Sequence, residues 1–244
     1  MKILIYADDK FKTKQQSLQK IYSQYQVFDL ILKTREDLIT IDFYQENKRI
    51  LDESIGGGYW LWKPYFILQE LVKLETDEIL CYTDAGDIIH PELCDLIPNM
   101  MIDHQPLFLI GSEAYENRNC CYTKKKCFER MDCNNAAYWD SPQLEAGISF
   151  WKNNDFNIKI LKEWLEYCKD YEIISNDLEN ESPEFKAPRN DQSVLTNVAI
   201  KYNLPSTTYI RNWVECGYEY FNMNNIIGRT IEHFMLKHRE DLNV

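Results

Sequence analysis

Two aspartates directly follow an apolar segment in the first half of the chain. Asp84 and Asp87 belong to the sequence Y-T-D-A-G-D, which ends the predicted strand 78–83. In open α/β sheets, ligands bind beyond the carboxyl ends of strands. Two carboxylates beside a turn of small residues could hold one hard divalent cation, which would bridge phosphate oxygens. The alternative is an ordinary Asp-Gly turn. A D-x-D-x-T phosphatase is disfavoured because the spacing is D-x-x-D.

A second candidate, Lys63, follows a run of three glycines. Gly56-Gly57-Gly58 precedes a predicted helix over 59–74, and Pro64 requires that helix to begin near Trp62 or Lys63. Glycines that open a helix expose backbone N–H groups, which favours an anion such as a diphosphate. A lysine in the first turn opposes the helix dipole, so we favour a functional role for it. The spacing is not that of a P-loop.

Two pairs in the second half of the chain are candidates for a ligand pocket. Asp191 and Gln192 lie at a predicted helix start, after the acidic loop 171–188. An aspartate at such a position is more often a helix cap than a catalyst. Ala146 and Gly147 begin a predicted strand, where small residues would let a ligand approach the backbone.

Other side chains give weaker signals. For Trp60 and Tyr65 a place in the hydrophobic core is the favoured interpretation. His233 and His238 occur late in the chain, where a histidine is usually a surface residue. A metal held by only two aspartates would nevertheless accept a nitrogen ligand.

The elements that must position these groups follow from hydrophobic periodicity. Strand, helix and strand at the beginning of the chain, with a crossover of this length, indicate a parallel pair. No repeat and no linker separates two domains, so we predict one α/β domain that is elaborated in its second half. The predicted strands are 2–7, 27–32, 78–83, 107–111 and 146–151, and the predicted helices include 13–25, 59–74 and 191–202.

Composition limits the possible partners and the class of protein. The 244 residues are 45% hydrophobic and 27% charged, which is typical of a folded globular protein, and the net charge is −12. A surface of that charge repels nucleic acid and anionic lipid, so neither is an expected partner. The apolar start is too short for a secretory signal and no run approaches 18 apolar residues, so we expect a cytoplasmic protein without a transmembrane segment.

The eight cysteines are expected to be free thiols. Without a signal peptide a disulfide framework is disfavoured. The cluster from Cys120 to Cys133 contains no C-x-x-C pair, which a structural zinc site would normally supply.

Taken together, these motifs resemble a known family. Their order along the chain is Y-A-D-D after the first strand, G-Y-W-L-W-K-P, Y-x-D-x-G-D, A-G at a later strand, R-x-D-Q-S and a terminal H-R. This collinear set resembles nucleotide-sugar glycosyltransferases of the GT-A fold. It is most similar to the capsule- and virus-associated group with the G-Y-W-x-W-K-P signature and, more distantly, to glycosyltransferase family 8. The resemblance covers residues 1 to about 240.

The resemblance implies a fold and a division of the chain. A single GT-A-like domain would have a mostly parallel sheet flanked by helices. Its Rossmann-like, nucleotide-sugar-binding half would comprise residues 1–111. Residues 112–244 would form the acceptor and catalytic half.

The same resemblance implies roles for individual residues. Asp84 and Asp87 would hold Mn²⁺ or Mg²⁺ on the donor diphosphate, His238 would complete the metal shell, and Lys63 would face the diphosphate. Gly147 would border the sugar. The other implied contacts are Ala7, Asp8 and Asp9 with the base and ribose, and Asp191 and Gln192 with the transferred sugar. Asn190 stands where the signature group commonly has histidine, and the family-8 H-x-x-G-x-K-P-W tail is missing.

The resulting hypothesis is a metal-dependent transfer of a sugar from a nucleoside diphosphate, with UDP as the expected one, to a hydroxyl of a glycan or lipid-linked acceptor. Such a reaction would serve polysaccharide or glycan synthesis, with retention of the anomeric configuration. A sugar-phosphate nucleotidyltransferase is the first alternative, but it would need a glycine-rich basic loop after the first strand. A carbohydrate-binding protein without catalysis is the second, and it would not need Asp84 and Asp87.

Overall fold

A mixed β-sheet of seven strands organises the chain in the computed structural model, which describes residues 1–87, 89, 91, 93–110, 118–211 and 219–222. Across the sheet the strand order is β2-β1-β3-β5-β4-β6-β7. In chain order the strands are β1 (Lys2–Ala7), β2 (Asp29–Thr34), β3 (Ile79–Thr83), β4 (Leu107–Ile110), β5 (Leu144–Lys152), β6 (Ser206–Arg211) and β7 (Glu219–Asn222).

The sheet combines parallel and antiparallel pairs. Strand β1 is parallel to β2 and β3, and β4 is parallel to β6. Strand β5 runs antiparallel to both of its neighbours, and β7 runs antiparallel to β6. The predicted α/β domain with helices around its sheet is confirmed. The sheet is more mixed than expected, because hydrophobic periodicity does not report strand direction.

Helices flank the sheet, and the long ones lie where the 3.6-residue periodicity placed them. The helix start expected near Trp62 is confirmed, since Pro64 falls in the first turn. The described part of the chain contains no helix with the length and apolarity needed to cross a membrane. The helices are α1 (Lys12–Tyr25), α2 (Arg35–Ile39), α3 (Asp42–Glu46), α4 (Lys48–Leu51), α5 (Trp62–Leu71), α6 (Leu93–Met100), α7 (Lys125–Arg130), α8 (Ala136–Trp139), α9 (Asp155–Cys168), α10 (Tyr171–Ile174) and α11 (Asn190–Lys201).

Hydrophobic cores cover both faces of the sheet. Alternate residues of β1 divide between them, so that Leu4 belongs to one core and Ile3 to the other. Helices α5, α9 and α11 pack on the Leu4 face, and α1 packs on the Ile3 face. Gln15 ties α1 to the sheet, because its Nε2 donates to the carbonyls of Ile5 (3.0 Å) and Lys33 (2.9 Å). No disulfide links the cysteines in the described residues.

Sheet topology brings the candidate residues to one edge. Because β1 and β3 are parallel neighbours, the residues that follow them, Asp8 and Asp84, emerge at the same end of the sheet. The antiparallel pairing of Thr83 with Ile148 brings Gly147 beside Asp84. Five separate segments of sequence therefore meet where β1 and β3 end, once α5 and α11 are added.

Candidate active site

Asp84 and Asp87 lie in the turn that follows β3 and face the same glycine. The N–H of Asp87 donates to the carbonyl of Asp84 (3.1 Å), and the N–H of Asp84 donates to the carbonyl of Gly147 on β5 (2.8 Å). A Cβ built on Gly147 would lie 3.2 Å from Oδ2 of Asp84 and 3.4 Å from Oδ2 of Asp87. The missing side chain at Gly147 therefore leaves space into which both carboxylates point.

Lys63 is the buried cation of this site, with only 3% of the residue exposed. Its Nζ lies 3.4 Å from Oδ1 of Asp84 and 3.5 Å from Oδ2 of Asp191, and it donates to the carbonyl of Ala146 (3.1 Å). Burial lowers the pKa of Lys63, but the two carboxylates outweigh that effect and hold the pKa above its ordinary value. The ammonium therefore stays charged at neutral pH and links β3, β5 and α11.

The orientation of the Asp84 carboxylate is fixed by two donors. The hydroxyl of Tyr82 donates to Oδ1 of Asp84, and Lys63 lies beside the same oxygen. Burial raises the pKa of Tyr82 well above its usual range, which keeps this hydroxyl protonated. Because Oδ1 is engaged in this way, Oδ2 is the oxygen of Asp84 that faces Gly147 and Asp87.

Asp191 lies in the first turn of α11 but is not its cap, which is Arg189. Burial raises the pKa of Asp191 to about 7, although Lys63 opposes that shift. Its Oδ2 is buried and accepts no hydrogen bond, at ion-pair distance from Lys63. Trp164 holds the backbone in place, because its Nε1 donates to the Asp191 carbonyl (2.9 Å). A buried carboxylate that titrates near neutrality can serve as a general base or stabilise positive charge.

Gln192, the next residue, is oriented by a hydrogen-bond network. Its Oε1 accepts from the N–H of Ala146 (3.3 Å), and its Nε2 donates to Oε1 of Gln143 (3.3 Å). The Nε2 of Gln143 in turn donates to the hydroxyls of Ser193 (3.1 Å) and Thr123 (3.3 Å).

The two hydroxyls determine which way Gln143 points. The Ser193 hydroxyl donates its own proton to the carbonyl of Tyr122, and the Thr123 hydroxyl donates to Oδ1 of Asn119. Both hydroxyls can therefore only accept from Gln143, so the side-chain amides of Gln143 and Gln192 cannot flip independently.

Two clefts meet at the pair of aspartates. The smaller has a volume of ≈ 230 Å³ and contains Lys63, Gly147, Asp191 and Gln192 in its wall. The larger has a volume of ≈ 610 Å³ and extends along the end of β1 past Ala7 and Asp8 to Lys10 and Lys14. Both clefts share three lining residues, Trp60, Asp84 and Asp87.

Most of the residues singled out in the sequence lie in these clefts, but their roles stay predictions. In the larger cleft Asp8 orders the turn after β1, because its Oδ1 accepts from the N–H groups of Lys10 (3.0 Å) and Phe11 (3.3 Å). Asp9 is exposed and lines neither cleft. His233 and His238 lie outside the described residues, so the structure does not bear on a histidine ligand.

The aspartate pair fits a divalent cation as a set of two ligands. Within the residues that the structure describes, no cluster of three or more His, Cys, Asp or Glu side chains could hold a metal. However, Mg²⁺ commonly uses only one or two protein carboxylates, together with substrate phosphates and water. Carboxylate oxygens of Asp84 and Asp87 that face the open space at Gly147 are hard donors of that kind.

Sequence reasoning missed two residues of the site. Trp60, assigned to the core, packs only partly against it and also lines both clefts. The second is Gln143, just before β5, whose Oε1 accepts a hydrogen bond from Nε2 of Gln192. The signal for Trp60 was the preceding glycine run, since glycines leave room for a large ring. Nothing local distinguishes Gln143.

No family model and no characterised protein sequence matches the chain. Among solved structures, the chain is similar to the bifunctional glycosyltransferase WbbM, with a TM-score of 0.49 and 10% identity over 81% of this chain and 37% of that one. It is similar to the galactosyltransferase LgtC in complex with donor and acceptor sugar analogues, with a TM-score of 0.44 and 13% identity over 81% and 70% of the two chains.

A third similar structure is a glycosyltransferase involved in the glycosylation of the major capsid of PBCV-1. Its TM-score is 0.41, with 12% identity over 88% of this chain and 86% of that one. All three are glycosyltransferases that share few residues with this chain. The chain spans 37% of the length of WbbM.

Proposed function

We propose that this α/β protein is a metal-dependent glycosyltransferase of the GT-A type. It would move a sugar from a nucleoside diphosphate sugar to a hydroxyl of a glycan or lipid-linked acceptor. The observation that carries the proposal is the meeting of two clefts at Asp84 and Asp87, with the buried Lys63–Asp191 pair behind them. A nucleoside diphosphate sugar has the matching form: a large nucleoside, an anionic bridge and a smaller sugar.

The larger cleft suits the nucleoside. It has more than twice the volume of the smaller one and is lined by both aromatic and polar side chains. Lys10 and Lys14 at its wall bring positive charge to a chain whose net charge is −12. Because a diphosphate is repelled by such a chain as a whole, local cations are needed where it binds.

A divalent cation, Mn²⁺ or Mg²⁺, held by Asp84 and Asp87 would neutralise charge on the diphosphate as it leaves the sugar. Lys63 contributes a permanent positive charge on the protein side of the same carboxylates. Its buried, hydrogen-bonded position means that this charge is already oriented before the substrate arrives.

The smaller cleft suits the transferred sugar. Asp191 and the amide of Gln192 would form a polar wall beside the anomeric carbon, and the backbone of Gly147 lines the same cleft. An inverting enzyme needs a carboxylate that acts as a general base on the acceptor hydroxyl. The ion pair of Asp191 with Lys63 favours a fixed electrostatic role instead, so we propose that the reaction retains the anomeric configuration.

The structure offers less support for a nucleotidyltransferase. The turn after β1 is built around the side chain of Asp8, whose Oδ1 binds two backbone N–H groups. An acidic side chain occupies the place where that class of enzyme would need free N–H groups for a triphosphate.

Thermal unfolding of the purified protein tests the proposal. The ligands are UDP, GDP, CDP and ADP and the glucose conjugate of each, added one at a time with and without Mn²⁺. A ligand that binds only the native state raises its stability by mass action, by about 2.7 kcal/mol at one hundred times its dissociation constant. We expect stabilisation for one base, and only when Mn²⁺ is present.

Three variants that each remove one negative charge identify the site in this experiment. Asp84→Asn and Asp87→Asn should remove the metal-dependent stabilisation. Asp132→Asn should retain it, because Asp132 is exposed and lines neither cleft. Stabilisation that needs no metal, or that survives in both site variants, would contradict a metal-dependent transferase and favour a carbohydrate-binding protein.

A further inference from the structure

The glycine run is a turn of left-handed helix. The backbone φ angle is positive at every residue from Gly56 to Trp60, with values of 59°, 59°, 104°, 50° and 60°. Hydrogen bonds close the turn, including that from the N–H of Tyr59 to the carbonyl of Ile55 (2.7 Å). Glycine adopts these angles readily, but they are costly for Tyr59 and Trp60, because their Cβ atoms crowd the backbone. Such backbone conformations concentrate at functional sites.

The turn fixes the ring of Trp60 against Gly56. A Cβ built on Gly56 would lie only 2.3–2.6 Å from three atoms of the indole, so the ring occupies the place of a side chain. Gly57 has the same φ of +59°, but the nearest atom to its Cβ would be 3.6 Å away. Of these two glycines, therefore, only Gly56 is needed to make room for the ring.

Trp60 lies at the point where the two clefts join. It lines both of them, together with Asp84 and Asp87. Part of the indole packs on Gly56 and on the hydrophobic core, and the part that lines the clefts is available to whatever passes from the larger cleft into the smaller one. We propose that Trp60 is the stacking platform for the donor sugar, fixed in place by the left-handed turn. This inference rests on the proposed function.

The chemistry of the indole favours a sugar over a phosphate at this wall. The face of an aromatic ring carries partial negative charge and its edge partial positive charge. An anionic diphosphate is repelled by such a face, whereas the C–H groups of a pyranose are attracted to it. Different residues would thus bind the two parts of the donor. Asp84 and Asp87 would hold a cation on the phosphates, and Trp60 would contact the apolar face of the sugar.

Two glycine variants and two tryptophan variants test the proposal. Gly56→Ala forces the ring to move, and Gly57→Ala imposes the same backbone cost without touching it. Trp60→Ala removes the ring, and Trp60→Phe keeps a smaller aromatic face. For the base that stabilises the wild type, we measure calorimetrically the dissociation constants of the nucleoside diphosphate and of its glucose conjugate, both with Mn²⁺.

We expect Trp60→Ala and Gly56→Ala to weaken binding of the glucose conjugate by roughly tenfold, as for the loss of one aromatic contact. Binding of the diphosphate should change less than about twofold, because it does not use the ring. Gly57→Ala and Trp60→Phe should retain most of the affinity for the conjugate. Melting temperatures without ligand check that Gly56→Ala and Gly57→Ala are equally folded.

The outcomes separate this inference from the proposed function. If Trp60→Ala weakened binding of the diphosphate and of its conjugate equally, a role of Trp60 specific to the sugar would be overturned. Equal effects of Gly56→Ala and Gly57→Ala on binding of the conjugate would overturn it as well. A wild type that binds no nucleoside diphosphate with Mn²⁺ would overturn the proposed function and this inference with it.

Discussion

The ammonium of Lys63 lies 3.5 Å from the carboxylate of Asp191, and both side chains are almost completely buried, at 3% and 5% exposure. The two residues are far apart in sequence and begin different helices, α5 and α11. Their pairing holds the two halves of the site together. Asp84 lies 3.4 Å from the same ammonium, so one lysine is paired with two carboxylates.

The charge of Lys63 should affect anionic ligands far more than neutral ones. In Lys63→Met, Asp84 and Asp191 lose their shared counter-ion, and their uncompensated charge would oppose a diphosphate. Loss of a charge-assisted contact typically costs about 1.5–3 kcal/mol. We therefore expect calorimetry to show that the nucleoside diphosphate that stabilises the wild type binds at least tenfold more weakly to this variant, while its nucleoside binds as to the wild type. Equal losses for both would instead indicate a role in folding.

The pH dependence of stability should report the buried carboxyl of Asp191. Its pKa is raised to about 7 in the folded protein, chiefly by burial, while the unfolded chain has the ordinary value of 3.8. The folded state thus binds this proton more tightly. The stabilisation that this proton contributes is complete below the pKa of 3.8 of the unfolded chain. It is lost as the pH rises through the pKa of about 7 of the folded protein.

Urea unfolding of wild type and Asp191→Asn, at pH 5 and pH 8, isolates this effect. The asparagine does not titrate. The free energy of unfolding of the variant minus that of the wild type should therefore be larger at pH 8 than at pH 5, by a few kcal/mol. A difference that is constant with pH, or that changes in the opposite direction, would mean that Lys63 keeps Asp191 ionised throughout.

The fixed orientation of Gln143 predicts that two substitutions of this residue differ in their effect on stability. The hydroxyls of Thr123 and Ser193 present only lone pairs to residue 143, because their protons are engaged elsewhere. Gln143→Glu would oppose these lone pairs with a carboxylate, whereas Gln143→Met would merely leave them without a donor. We expect the glutamate variant to be about 1–3 kcal/mol less stable than the methionine variant in urea unfolding at pH 8. Equal stabilities would contradict the assigned network.

Local sequence was sufficient to predict the parts of the site that follow regular elements. Strands β1 and β3 are short apolar segments that end at acids, so their positions and the location of Asp8 and Asp84 could be derived from periodicity. The start of α5 could be derived from Pro64, since proline is tolerated only in the first turn of a helix.

The remaining features depend on contacts between distant segments. The antiparallel direction of β5 brings Gly147 beside Asp84, and no pattern within β5 encodes that direction. The short helices α2 to α4 are too brief to show a helical period. The ion pair of Lys63 with Asp191 exists only once α5 and α11 pack together, so its effect on the pKa of Asp191 could not be foreseen.

The anomeric outcome of the reaction is a separate prediction. If Asp191 and Gln192 form a fixed polar wall and the acceptor approaches on the side of the leaving diphosphate, an α-linked donor should give an α-linked product. Proton NMR of the first product formed distinguishes the two anomers through the coupling of the anomeric proton. A β-linked product would exclude retention and would identify Asp191 as the general base on the acceptor hydroxyl.

The same wall should act on the transition state more than on substrate binding. We accordingly expect Gln192→Ala to lower kcat more than it raises KM for the donor. A rise in KM at constant kcat would instead mean that Gln192 contributes to binding of the donor and not to the transition state.

Asp84 and Asp87 are proposed to hold a divalent cation where the two clefts meet. Electron paramagnetic resonance of Mn²⁺ measures this directly, because the signal of the free ion decreases as the ion binds. With one of UDP, GDP, CDP and ADP present, the wild type and Asp132→Asn should bind Mn²⁺, and Asp84→Asn and Asp87→Asn should not. Mn²⁺ binding that is independent of every diphosphate, or undiminished in both site variants, would contradict a cation site at Asp84 and Asp87.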